Sequence, residues 1–209
     1  RKLLERNESA SANSASDTAR QGILKLMMND PSGLQNLQDA LILDPEFIEA
    51  ELALAFASLQ KNDIEQARVI ATKWQQKYAD KVGGYNLMAS IAIKEKNYQQ
   101  AEQSLKQSLL LKPDNIFALT EQLRSARLQE NEALSKQRVD YLITLAPSNN
   151  KVLRHYFGIY RNEIALEKLQ AAYQANKTDI KKAILVTEAM VTLGHYKQAE
   201  SLLIDLQDS

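Results

Sequence analysis

Apolar and polar positions alternate along most of the chain with helical spacing. Leu52, Leu54, Ala55 and Leu59 fall on one apolar stripe and Ile64, Ala67, Val69 and Ile70 on the next, so this stretch predicts two consecutive helices. A polar break, Lys61-Asn62-Asp63, separates them. Similar breaks occur at Asn29-Asp30-Pro31, Glu95-Lys96-Asn97, Gln129-Glu130-Asn131 and Gly194-His195. Asp and Asn suit such breaks because their side-chain oxygen accepts from the free amides of the helix that follows. The breaks belong to a repeat. Pro45, Pro113 and Pro147 are 68 and 34 residues apart, and the same series lands on Ala79, where proline is replaced. Ala67, Ala101 and Ser135 share the 34-residue spacing, which resumes at Ala165 and Ala199 after a four-residue deletion. Two phased series define a unit of two helices ending near a proline, which presets a turn and cannot continue a helix.

Six units follow: residues 17–47, 48–81, 82–115, 116–149, 150–179 and 180–209. Residues 1–16 are expected to be a linker or the end of an upstream helix, since residues 9–17 are small and polar. The missing four residues predict a shortened turn near residues 161–164 and a local change of curvature. The chain opens on Arg1 without Met, which reads as an excised segment, and no signal peptide or membrane span is visible.

The third unit sets out Tyr85, Met88, Ala89, Ala92, Ala101, Leu105 and Pro113, and this pattern resembles the tetratricopeptide repeat (TPR). The resemblance implies an all-α, right-handed TPR superhelix, an α-solenoid of about six helix-turn-helix repeats, with first helices lining a concave groove. Ala89 and Ala101 are small because the paired helices cross there. Ala101→Leu is expected to cost about 1 to 3 kcal/mol by overpacking, measurable by urea unfolding. In the fourth unit Gln122 takes the apolar place and Leu123 the small one, so the register of units four and five departs from the pattern.

Composition agrees with helices. The 209 residues include only six Gly and four Pro, and 44% are hydrophobic, enough for a substantial core. The absence of Cys excludes disulfides and thiolate chemistry. With 26 Lys and Arg against 26 Asp and Glu there is no global basic field, and no nucleic-acid partner is expected. Charge is nonetheless uneven: residues 17–65 hold nine acids and three bases, residues 66–115 eight bases and four acids. Most of this serves solvated helix faces. Enzyme signatures are missing. Gly83-Gly84 has no phosphate-loop Lys after it, His155 and His195 are forty residues apart, and no Gly-x-Ser-x-Gly elbow occurs. Neither catalysis nor a cofactor or metal is expected.

The remaining candidate is the groove. The exposed first-helix positions are expected to include Asn86 and Ser90 in unit three and Arg124, Arg127, Arg154 and Arg161 in units four and five, with Tyr156 or Tyr160 nearby. Arg offers a planar donor fork matched to carboxylates and Tyr a large contact area, a pairing that suits an anionic protein or peptide. The alternative places these arginines on the convex face or pairs them with Glu121, Glu130 and Glu163, and leaves the tyrosines in the core. Leu52 and Phe56 stand where a terminal-carboxylate clamp would need polar groups, which disfavours a chaperone-tail adaptor. A single Trp, Trp74, on a second helix argues against a polysaccharide platform. At the C-terminal edge Ala199, Leu202, Leu203 and Leu206 form a stripe facing the preceding helices, with Ile204 off it. No polar cap follows, so further repeats or self-association at this edge are expected.

A closer resemblance rests on Gly84-Tyr85-Asn86-Leu87-Met88 and Lys112-Pro113-Asp114, preceded by Leu43-Asp44-Pro45 and Gln75-Gln76-Lys77-Tyr78. Across residues 17–206 the chain looks like the PEP-CTERM system TPR-repeat lipoproteins, found with exosortase and exopolysaccharide loci in Gram-negative bacteria. That resemblance implies a periplasmic or cell-envelope scaffold in export or exopolysaccharide assembly and carries over no catalytic residue. A cytoplasmic TPR adaptor, or a segment positioning a larger envelope enzyme, is the alternative.

Overall fold

Helix pairs follow one another along the whole described chain. The structure, a computed structural model, describes residues 2–207 and the side chains of residues 15–206. These residues form twelve helices and no strand: α1 (Lys2–Met27), α2 (Gly33–Leu43), α3 (Ile48–Gln60), α4 (Ile64–Lys77), α5 (Val82–Lys94), α6 (Tyr98–Leu111), α7 (Ile116–Leu128), α8 (Glu132–Leu145), α9 (Asn150–Tyr160), α10 (Glu163–Gln174), α11 (Ile180–Thr192) and α12 (Tyr196–Gln207). They fall into two units, Arg1–Pro113 and Asp114–Ser209. Residues 9–17 lie inside α1 instead of a linker, and their run of Ala and Ser offers no Gly or Pro to break it.

Each hairpin closes by the same local device. One residue per turn takes a left-handed φ: Asn29, Asn62, Lys96, Glu130, Arg161 and Gly194. That twist lets the next amide reach back to the carbonyl five residues earlier, as Asp63 does to Ser58 at 2.8 Å, Asn97 to Ala92 at 2.8 Å and Asn131 to Ala126 at 3.0 Å. The same residue then caps the following helix, the side chain of Asp63 accepting from the amide of Gln66, that of Asn97 from Gln100 and that of Asn131 from Leu134. A three-residue turn thus ends one helix and starts the next. The fifth hairpin has the expected shortened turn. Arg161 takes the left-handed position one residue earlier, its amide donating to the carbonyl of Phe157 at 2.8 Å, and Asn162 already caps α10 through Ala165. Both α9 and α10 are also shorter than α7 and α8.

The crossing of paired helices is built on small residues. Ala55, Ala67, Ala89, Ala101 and Ala165 have no exposed surface. Gly33 stands 34 residues before Ala67 and meets Gly22 of α1 backbone to backbone. In the fourth pair the first-helix position is the large Leu123, fully buried, and the second-helix position remains small with Ser135, almost fully buried.

In unit 1 the core gathers Leu59, Ile70, Trp74, Leu87 and Ile91 from α3, α4 and α5. The Trp74 indole N–H donates to Glu51 Oε2 at 2.7 Å, and the other Glu51 oxygen accepts from Lys73 at 2.6 Å. Arg68 pairs with Glu95 at 2.6 Å, and Lys77 pairs with Glu46. In unit 2 Asp179 caps α11, receives the Lys182 ammonium at 2.8 Å and accepts from Asn150 of α9 at 3.2 Å. That carboxyl is held down to about 2, first by Lys182 and, against the opposing effect of burial, by Asn150. At the C-terminal edge Ala199 is buried, but Leu203 is 48% exposed and stands apart from the expected stripe, beside Ile204 at 52%.

Candidate functional site

The first helices of unit 2 concentrate positive charge. α7, α9 and α11 carry Arg124, Arg127, Lys151, Arg154, Lys181 and Lys182, against Glu121 and Glu188 alone. The second helices α8, α10 and α12 lean the other way, with four Lys and Arg against six Asp and Glu. Charge within unit 2 is therefore sorted by helix, although the unit as a whole is balanced.

A cavity of about 330 Å³ opens between α7 and α9, lined by Thr120, Glu121, Arg124, Arg127, Leu128, Lys151 and His155. Arg124 reaches back one turn to Glu121 at 3.0 Å, which compensates that buried carboxylate. Arg127 and Lys151 are exposed and have no ion-pair partner among the described residues. A second cavity of about 280 Å³ lies between α9 and α11, shares Lys151 and adds Arg154, Lys181 and Ile184. Arg154 is held by Glu188 of α11 at 2.8 Å, both groups being exposed.

His155 records this local field. Burial first, then the neighbouring Lys151, Arg127 and Arg154, push its pKa down to about 4, and its Nε2 is buried without a hydrogen-bond partner. A stability signature follows. The unfolded chain takes up this proton near the ordinary value of 6.5, the folded chain only near 4. Stability is complete above 6.5 and declines as the pH falls from there toward 4, by roughly 1 to 2 kcal/mol once solvent screening of the partly exposed ring is allowed for. Urea unfolding across that interval checks it: the wild-type loss is expected to shrink in His155→Gln.

Of the eight residues expected in the groove, the six that belong to unit 2 do not converge. Arg124 and Arg127 share the first cavity, and Arg154 lines the second. Tyr156 and Tyr160 belong with the second helices. Their rings pack at 4.8 Å, the Tyr160 hydroxyl donates to Asp140 of α8 at 2.8 Å, and Lys168 of α10 lies 5.8 Å from the Tyr156 ring. Burial, reinforced by Asp140, raises the Tyr160 phenol to about 12. Arg161 is exposed in the αL turn rather than on a helix face. The expected exposure of Asn86 and Ser90 is corrected: both are buried, because residues 86–93 of α5 are buried without interruption, and Asn86 accepts from Ser108 of α6 at 2.7 Å. The pattern missed Lys151, His155 and Lys181. Their signal was helical spacing, since Lys151, Arg154 and His155 stand at i, i+3 and i+4.

No helix of the described residues is long and apolar enough to cross a membrane, and no cluster of His, Asp and Glu among them could hold a metal ion.

Among solved structures, the thermophilic TPR protein TTC0263 of Thermus thermophilus matches with a TM-score of 0.69 and 15% identity, over 85% of this chain and 99% of that one. The fold is the TPR fold. Yeast Tom70 matches with a TM-score of 0.78 and 19% identity over 98% of this chain, which spans 45% of the Tom70 chain. A chain of the APC/C hetero-tetramer Cut9–Hcn1 matches with a TM-score of 0.62 and 14% identity, over 97% of this TPR chain and 42% of that one. No protein-family model matches the chain, and no curated protein matches it by sequence.

Proposed function

We propose that this TPR chain is a non-catalytic scaffold that binds a protein or peptide along the first helices of unit 2. The observation that carries the reading is the sorting of charge by helix, with two adjoining cavities on the cationic side. Stacked hairpins present such a surface at little entropic cost, because its residues sit on rigid helices. Assembly with other chains, as in the Cut9–Hcn1 hetero-tetramer, is the behaviour transferred from the shared fold. The setting we propose is a Gram-negative cell envelope, in export or exopolysaccharide assembly, on the resemblance to the PEP-CTERM system lipoproteins.

Affinity capture from the source organism tests this. The double reversal Arg124→Glu with Arg154→Glu is expected to lose at least about tenfold of the captured partner, since like charge at a binding face costs more than about 1.4 kcal/mol. Helical content is expected to stay, whereas melting is expected to fall because Arg124→Glu takes the counterion from the buried Glu121, so capture is compared below the variant's melting temperature. Undiminished capture by the folded variant would place the partner elsewhere.

A further inference from the structure

Both acidic residues of α7, α9 and α11 are already engaged, Glu121 with Arg124 and Glu188 with Arg154. Lys182 is occupied by Asp179. Three cations of these helices are left without an ion pair among the described residues: Arg127, Lys151 and Lys181. All three line the two adjoining cavities, and Lys151 belongs to both. An anion entering either cavity therefore meets charge that needs no prior bond broken, which is where Coulomb attraction is strongest for a partner.

The linings also carry apolar side chains. Leu128, 51% exposed, borders the first cavity, and Ile184, 45% exposed, borders the second beside Leu185. Neither lining contains Phe, Tyr or Trp, the platforms on which nucleobases stack. Cation next to aliphatic surface matches a chain in which carboxylates alternate with aliphatic side chains.

We propose that the paired cavities of unit 2 bind an acidic, leucine-bearing segment of the partner, its carboxylates on Arg127, Lys151 and Lys181 and its aliphatic side chains on Leu128 and Ile184. The proposal rests on the scaffold reading and names the ligand chemistry of the same face. Arg127 supplies a planar fork for one carboxylate, and the lysines act as point charges that tolerate variation in spacing. The leucines supply contact that charge alone does not, so the site distinguishes this segment from other polyanions.

The test is fluorescence anisotropy of the full chain with labelled nonapeptides. One repeats Glu-Glu-Leu three times and one repeats Glu-Glu-Gly three times, with a single-stranded oligonucleotide of equal charge beside them. The leucine peptide is expected to bind at least about fivefold more tightly than the glycine peptide, from burial of aliphatic surface. Arg127→Gln with Lys151→Gln is expected to weaken it about tenfold or more, while Lys106→Gln on α6, an exposed cation of unit 1, leaves it unchanged. Neither variant site is ion-paired or buried, and an unchanged melting temperature verifies folding. Equal binding of both peptides and the oligonucleotide, or binding that survives the double substitution, would overturn the proposal. Absent peptide binding beside persistent, Arg124- and Arg154-dependent capture would refute this ligand chemistry and leave the scaffold standing.

Discussion

Trp74→Ala is expected to destabilise unit 1 by about 3 to 5 kcal/mol, the range for removing a large aromatic side chain from a packed core. Trp74 is 4% exposed and sits where α3, α4 and α5 meet. Its ring fills the space left by Gly83, where an added Cβ would lie 2.5 Å from the indole, and it meets the Tyr78 ring edge-on at 5.3 Å between centroids. Truncation loses that packing and also takes one of two donors from Glu51, a largely buried carboxylate that keeps its pairing with Lys73. Trp74→Phe separates the two contributions. It keeps most of the ring volume but not the N–H donor, and is expected to cost about 1 to 3 kcal/mol, as for a lost hydrogen bond to a charged group. Urea unfolding followed by far-ultraviolet circular dichroism checks both variants. A Trp74→Ala protein as stable as wild type would contradict this placement of the indole.

Gly33→Ala is expected to cost about 1 to 2 kcal/mol, against the usual benefit of replacing glycine in a helix. A Cβ on Gly33 would stand 2.4 Å from the Gly22 carbonyl oxygen and 2.8 Å from Leu26 Cγ. The first obstacle is backbone, so relief requires α1 and α2 to separate, and overpacking of this kind typically costs about 1 to 3 kcal/mol. The opposing gain in helix propensity is at most about 1 kcal/mol and smaller at the first residue of α2. Gly158, inside α9, is the control: nothing lies within 4 Å of its added Cβ. Gly158→Ala is expected to stabilise unit 2 by about 0.5 to 1 kcal/mol. Opposite signs for one substitution, read by thermal melting, would attribute the Gly33 effect to the helix crossing.

These two sites differ in how far the sequence announced them. The TPR fold was legible because its determinants are local and repeated: Asp63, Asn97 and Asn131 each combine a turn and a helix cap. The shortened fifth turn was legible for the same reason, being a deletion in a regular series. The packing of Trp74 on Gly83 was not, since it joins the end of one helical pair to the start of the next. Residues 9–17 do not announce the helix they form, because small polar composition suits a linker and is also tolerated in a helix.

The candidate site was legible in part. Spacing placed Arg124 and Arg127 one turn apart on one helix, and the structure brings both to one cavity. It could not tell that α5 is enclosed by α3, α4 and α6, which buries Asn86 and Ser90 although their polar side chains suggested solvent. Nor could it tell that Tyr156 and Tyr160 turn toward α10 and α8, because the side a residue takes on a helix packed on several faces depends on all its neighbours.

Hydrogen–deuterium exchange of the chain, alone and with the partner recovered by affinity capture, tests the assignment of the binding face most directly. Slowed exchange concentrated in α7, α9 and α11 is the expected result. Slowing confined to α8, α10 and α12, or to unit 1, would contradict it.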